Sequence, residues 1–434
     1  MSTLSILYNE KDIYKTSRIL YWFEAAFANV ITVLTTGAYL AKLTSTIGIS
    51  DGMTAILSAL TSLSGVAQLL SVYLSRNSSY KRTVIAFMIP SEIIYALLYL
   101  IPFINLTTAA RAVIFFAVLL FAKLFENAIL PLKITWFMNL VKPERRGVYT
   151  SILRISSAVS IIPISLLASY IIDSFEEKNN IGGAFLVLSA IILFFTLSNL
   201  LTLLFSREKE NTVKRKDGNF KKNFKVLLKD KKYIKLLVVF LLAAIADNVI
   251  TPFLGTYEVN ELNFSMSFIS FLITLETLMR IGSMFLFGQL SKKLSHETIL
   301  SIAYPLTFLA YLLNIFSSPE APCFYVIYIL IKSMGIGAAA ISTTNIILEF
   351  IPREYQASAI SIHTVVSGVL GFLATVCASP FIEFMQKRGN TLFGINVYAQ
   401  QILSAIAALF YLILIVFYAF SFPRRKKTEE KNYS

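Results

Sequence analysis

The chain has 434 residues, of which 56% are hydrophobic and only 15% charged, and its formal net charge is +14. A soluble domain carries charge on about a quarter of its residues, so an ordinary soluble globular protein is excluded. A basic excess of this size can signal nucleic-acid binding, but the placement of the charges excludes that too.

Apolar stretches long enough to cross a bilayer, roughly 20 residues each, recur along the whole chain. They predict spans at 17–43, 52–74, 83–104, 109–139, 148–172, 183–205, 233–257, 265–290, 297–317, 322–350, 357–384 and 394–422. The runs do not alternate as barrel strands do, and an open sheet cannot satisfy its backbone in lipid. The expected class is therefore an all-α integral membrane protein with twelve transmembrane helices. Before the first run stand Glu10, Lys11, Asp12 and Lys15. That run is too long for a signal-peptide core, so no processing is expected. Cys323 and Cys377 both lie in apolar runs and imply no disulfide framework.

Loop charge sets the expected orientation. With the N-terminus inside, 29 of the 39 Lys and Arg fall in cytoplasmic segments, among them Arg76, Lys81, Arg82, Lys142, Arg145, Arg146, Lys292 and Lys293. The outer loops and outer helix ends hold only Lys42, Arg111, Lys178, Lys387 and Arg388. Both termini are expected in the cytoplasm and the chain in the cytoplasmic membrane. The basic charge reads as topology, with no nucleic-acid partner.

One long polar break, Ser206–Lys232, separates spans 6 and 7. It divides the chain into a six-helix bundle over 1–205, a basic linker over 206–232 and a second bundle with a basic tail over 233–434. Phe220, Phe224, Leu227 and Leu228 share one helical stripe among lysines. They fit either an amphipathic helix on an anionic leaflet or a solvated linker.

The two bundles repeat each other. Asn29-Val30-Ile31-Thr32 in span 1 reappears as Asn248-Val249-Ile250-Thr251 in span 7, an offset of 219. Gly37 and Tyr39 match Gly255 and Tyr257 at 218. Ser71, Leu74 and Arg76 lie over Gly288, Leu290 or Ser291, and Lys293 at about 217, and Pro143 matches Pro352 at 209. Measured from those prolines, Lys123 matches Lys332 and Arg154 matches His363. The offsets fall in order along the chain, as loop-length differences would produce. Six spans separate the copies, so both halves share one orientation, a parallel pseudo-symmetric repeat.

Twelve spans, two parallel six-helix halves and a long basic central loop resemble the major facilitator superfamily. The short basic loops between spans 2 and 3 and spans 8 and 9 resemble that family's signature of Gly, Asp, Arg, Gly and paired basic residues. The copies are degenerate: Ser71, Ser75 and Ser78 replace the expected Gly, Asp and Gly, and Gly288-Gln289-Leu290-Ser291-Lys292-Lys293 lacks the Asp. The resemblance implies a secondary transporter working by alternating access, with spans 1, 4, 7 and 10 lining a central cavity. Those spans carry Asn29, Lys123, Glu126, Asp247, Asn248 and Lys332 near mid-depth, whereas spans 6, 9 and 12, which the family places outside, hold no charge beyond Glu297 at the very start of span 9.

Ionisable groups at membrane depth are costly unless they face protein or water, so each is a functional candidate or a structural ion pair. Lys123 and Glu126, three apart, can pair directly, as can Glu276 and Arg280, four apart on span 8. Gly335, Gly337 and Ala338 follow Lys332 and permit close helix contact. If the resemblance holds, Lys123 and Lys332 sit at equal depth on opposite walls. Two such cations repel unless Glu126, Asp247 or an anionic solute lies between them. Asp247 or Glu126 is the expected proton carrier, while His363 reads either as a coupling group or as a packing residue. Glu24 and Glu92 have no partner legible in the sequence.

The chain has no phosphate-binding Gly-x-x-x-x-Gly-Lys loop, no His/Cys metal cluster and no nucleophile elbow. The expectation is a non-enzyme without cofactor, monomeric in lipid. It moves a small anionic or polar organic solute with protons or exchange as the drive. A drug-efflux permease and a non-transporting receptor or assembly factor on the same scaffold remain the alternatives.

Overall fold

The computed structural model describes residues 13–70, 79–142, 145–209, 220–392 and 394–422. Ser71–Ser78, Pro143, the middle of the linker and the tail beyond Phe422 lie outside the described residues, and with them the first signature-like loop. Nine helices among the described residues are long and apolar enough to cross a membrane. A tenth crossing is the bent pair Lys15–Leu34 and Gly37–Thr46, and Tyr80–Leu98 and His296–Asn314, of 19 residues each, complete the twelve. Large apolar side chains such as Phe194, Phe205, Phe285 and Phe420 are exposed on these helices, as a lipid-facing surface requires.

The chain divides into two compact units, one drawn from Met1–Arg215 with Phe264–Ile273, the other from Lys216–Asn263 with Thr274–Ser434. The first unit holds span 1 (the bent pair), span 2 (Asp51–Ser64, continued as a 3-10 turn to Leu70), span 3 (Tyr80–Leu98), span 4 (Thr108–Met138), span 5 (Arg146–Glu177) and span 6 (Ile181–Phe205). Polar caps start several of them: Ser50, Ser79, Thr107 and Asn180 each accept from a backbone N–H of the first turn. Spans 3 and 6 are tied end to end by reciprocal charges. The Glu208 carboxylate takes the free N–H groups of Tyr80 and Lys81 at 2.8 and 3.2 Å, while Lys81 Nζ donates to the terminal carbonyls of Leu204 and Ser206 at 2.6 and 2.9 Å. Each charge meets the helix end whose dipole favours it. Nearby, Phe137 stacks between Tyr21 at 3.9 Å and the buried Trp136 at 4.3 Å, and Trp22 stacks on Tyr149 at 6.1 Å.

The second unit holds span 7 (Lys231–Ile250, continuing irregularly to Glu261), most of span 8 (Met266–Leu290), span 9 (His296–Asn314), span 10 (Pro322–Phe350), span 11 (Arg353–Lys387) and span 12 (Ala399–Ser421). Span 12 starts five residues later than the sequence predicts, because Thr391–Leu392 and Ile395–Asn396 pair as a short antiparallel ladder turned by Gly394 at φ +81°. The linker forms a helix over Phe220–Leu227 that packs on span 11. Leu227 is buried there, while Phe224 and Leu228 stay exposed. A run of rings in contact threads this unit, Tyr257–Tyr325–Tyr328–Tyr311–Tyr411–Tyr304–Tyr418–Phe422, with centroids 5.0 to 6.4 Å apart.

The repeated Asn-Val-Ile-Thr segment marks a break in the first helix of each half. In span 1 the helix stops at Leu34 and resumes at Gly37, whose φ of +56° suits a residue without Cβ, with a bend of 41°. The hydroxyls of Thr35 and Thr36 take the carbonyls of Ile31 and Thr32 at 3.0 and 2.8 Å. In span 7, Pro252 has no N–H to offer the carbonyl of Asn248 four residues back. Thr375 Oγ1 of span 11 donates to that carbonyl instead, at 2.7 Å. Backbone groups freed inside a membrane helix must find such partners.

Candidate functional site

Ionisable side chains gather in one cluster in each unit. On span 4, residues 123, 126, 127 and 133 recur at helical spacing and therefore share a face. Lys123 is 2% exposed, with its Nζ 3.5 Å from Glu126 Oε2 and 5.0 Å from the ring centre of Tyr95 on span 3. The Tyr95 hydroxyl donates to the same Glu126 oxygen. Asn127 donates to Ser64 Oγ at 2.9 Å and to the Lys123 carbonyl at 3.1 Å. One turn and a half further along, Lys133 pairs with the fully buried Glu24 of span 1 at 2.8 Å. Glu92 of span 3 accepts from Asn199 Nδ2 of span 6 at 2.6 Å. The two carboxylates with no partner legible in sequence thus find theirs 109 and 107 residues away. A cavity of about 60 Å³ opens among Thr32, Glu92, Tyr95, Glu126, Asn127 and Lys133.

The cluster of the second unit is built differently. Asp247 Oδ1 accepts from the hydroxyls of Tyr311 (2.8 Å) and Tyr411 (3.0 Å). Lys332 Nζ donates to Tyr328 Oη at 2.9 Å and Thr251 Oγ1 at 3.0 Å, and it stands 5.3 Å from the ring centres of both Tyr311 and Tyr328. The charges whose field reaches it are Asp247, Glu276 and Glu258. Among the described residues, none of these carboxylates lies within ion-pair distance of it. Glu258 accepts from Tyr325 at 2.8 Å. Thr251 presents its hydroxyl from the unwound turn of span 7, so the break and the lysine belong to one locus. Helix breaks at corresponding positions of two halves recur in transporter folds built from repeats.

Of the residues singled out in sequence, the structure joins Lys123 to Glu126 and Glu276 to Arg280, the latter at 3.4 Å, and places Asp247 and Lys332 around the same tyrosine, Tyr311. Asn29 Nδ2 donates to the Ser157 carbonyl of span 5 at 2.8 Å, while Asn248 Nδ2 donates to the Ala244 carbonyl of its own helix at 2.9 Å and the Asn248 carbonyl accepts from Thr375 of span 11. A Cβ on Gly371 would lie 2.6 Å from the Asn248 amide. Arg154 is exposed. His363 contacts Ser367 Oγ at 3.1 Å and packs 4.5 Å from the ring of Phe240. The glycines after Lys332 do permit close contact, since a Cβ on Gly335 would lie 2.4 Å from Thr307 Oγ1 and one on Gly337 2.7 Å from Ser283 Cβ.

Sequence reasoning missed the tyrosines. Tyr95 and Tyr311 are 216 apart, in step with the repeat, and each lies under the lysine of its own half while donating to a carboxylate. That offset is the signal that could have found them.

Several solved structures share the fold. A variant of the nucleoside transporter NupG aligns with a TM-score of 0.70 at 14% identity, covering 94% of this chain and 99% of that one. A bacterial homologue of the human lysosomal transporter Spinster aligns at 0.67 with 12% identity, covering 94% and 95%. A D-xylose–proton symporter aligns at 0.65 with 12% identity, covering 92% and 97%. No curated protein matches the chain by sequence. The sequence pattern of the Major Facilitator Superfamily matches residues 23–375. With that match over most of its length, twelve membrane helices and two six-helix bundles, the chain belongs to the Major Facilitator Superfamily and is a membrane transporter rather than an enzyme.

Proposed function

We propose that the protein moves a small anionic or polar organic solute across the cytoplasmic membrane by alternating access, driven by protons or by exchange. Both termini lie in the cytoplasm, and Lys332, Thr251, Tyr328, Tyr311 and Asp247 form the solute-facing set of the second half. The observation that carries this reading is the state of Lys332. Among the described residues its ammonium is held by neutral hydroxyls and ring faces alone, so it keeps a charge to offer to a carboxylate, phosphate or hydroxyl of a solute. The tyrosine faces beside it add flat apolar surface, the combination that small-molecule sites use for orientation and affinity. Lys123, already facing Glu126, is the weaker anion binder of the two.

The test is a thermal-shift screen of organic acids, phosphorylated metabolites, sugars and nucleosides on the purified full chain, followed by uptake into proteoliposomes. A solute that binds the folded state raises its melting temperature. Stabilisation by an anionic or polyhydroxy solute, lost in Lys332→Gln, is the expected result. Stabilisation only by lipophilic cations would replace this reading with drug efflux. Absence of flux for every solute that binds would point to a receptor.

A further inference from the structure

The Glu92–Asn199 pair carries an information content beyond helix packing. Glu92 is 4% exposed and Asn199 is fully buried. Asn199 Nδ2 donates to Glu92 Oε1 at 2.6 Å, and the other oxygen of each side chain, Glu92 Oε2 and Asn199 Oδ1, is buried without a hydrogen-bond partner. An ionised carboxylate and an amide oxygen are both acceptors only, so the pair as drawn lacks one donor. A single proton on Glu92 Oε2 supplies it. The acid then has a hydrogen to donate while its Oε1 accepts, the mixed donor and acceptor state that buried groups need in order to pair.

Charge balance leads to the same place. The charged groups whose field reaches Glu92 are Glu24 of span 1 and Lys133 and Glu126 of span 4. Glu24 is neutralised by Lys133, and Glu126 by Lys123. Span 6, the other helix packed on Glu92, brings Asn199 and no ionisable residue to its length, and span 3 itself adds Tyr95 one turn on, with Lys81 and Arg82 at its far end. Glu92 is the surplus negative charge of the cluster, and a proton removes the surplus. The cavity gives that proton a route, for it is lined by Glu92, Glu126 and Lys133 together and has room for ordered water.

We propose that Glu92 is a proton-binding site of this transporter. The O–H bond forms on Oε2 in the acid–amide pair with Asn199, and the proton leaves through the cavity water when the cycle opens it. The role in coupling rests on the proposed secondary-transport function, whereas the protonation itself does not.

The experiment is therefore in two arms. Infrared difference spectra between the wild-type full chain and Glu92→Gln, in nanodiscs at neutral pH without solute, are expected to show the carbonyl stretch of a protonated acid that shifts in D2O. Absence of that band, or its loss on adding Na+ at constant pH, overturns the proposal, the second by making the occupant an alkali cation. Should Glu92→Gln not fold, Asn199→Leu keeps the acid and is expected to move the band to higher frequency. In the transport arm, proteoliposomes active with a solute from the screen are expected to lose pH-driven accumulation in Glu92→Gln while keeping exchange of labelled for unlabelled solute. Retained pH-driven accumulation overturns the coupling role. A band that behaves as expected in a protein without flux sinks the transport reading alone.

Discussion

Lys123 and Lys332 occupy one position of a duplicated frame, 209 residues apart, and both lie over a tyrosine of the third helix in their half. What differs is the counter-charge. In the first half it comes from Glu126, one turn along the same helix; in the second the tyrosine hydroxyl reaches across to Asp247 on span 7. Packing explains the divergence. The residue matching Glu126 is Gly335, where even a Cβ would lie 2.4 Å from Thr307 Oγ1. Spans 9 and 10 approach too closely for an acid to stand there; the second half's carboxylate stands on span 7, and among the described residues Lys332 makes no ion pair. The two halves share the lysine-on-tyrosine platform and differ in which helix bears the carboxylate.

The largest effects should separate the halves by the cost of breaking their polar interiors. Glu24→Leu leaves Lys133 buried and unpaired, and is expected to cost about 3–5 kcal/mol in thermal or denaturant unfolding. Adding Lys133→Met should recover most of it, and a double variant as unstable as the single would show that the pair is not the cause. Its counterpart in the second half, Asp247→Asn, keeps an oxygen for both tyrosines and should cost about 1 kcal/mol. In uptake assays Lys332→Gln should weaken solute affinity about 10- to 100-fold, the loss of one charge-assisted hydrogen bond of roughly 1.5–3 kcal/mol. Lys123→Gln should fall well short of that, and equal losses at the two lysines would erase the asymmetry between the halves. Gly335→Ala should cost about 1–3 kcal/mol by overpacking and be partly rescued by Thr307→Ala. Smallest, Thr375→Val bares the Asn248 carbonyl opposite Pro252 and should cost about 1 kcal/mol in melting.

Much of the frame was legible in the sequence, for physical reasons. Hydropathy locates twelve spans because lipid demands continuous apolar helices. The ordered offsets find the repeat because the two copies solve one packing problem, down to the break that follows Asn-Val-Ile-Thr. The intrahelical pairs, Lys123 with Glu126 and Glu276 with Arg280, follow from spacing alone. The partners of Glu24, Glu92 and Asp247 do not, since they lie on other helices, up to 164 residues away in the case of Tyr411. A tyrosine in a membrane helix also looks like any aromatic residue until its neighbour is known. Arg154 and His363 show the converse, a matched pair in sequence of which one side chain is exposed and the other packs on Phe240.

The uneven division of aromatic residues has an optical consequence. The chain has two tryptophans, Trp22 and Trp136, and both belong to the first unit, while the ring chain of the second is built from tyrosine and ends on phenylalanine. Light absorbed at the red edge of the protein band therefore excites the first unit alone. The native chain carries its own one-sided reporter, in which a solute bound in the second unit, as proposed for Lys332, stays dark unless its arrival is felt around Tyr21, Phe137 and Tyr149.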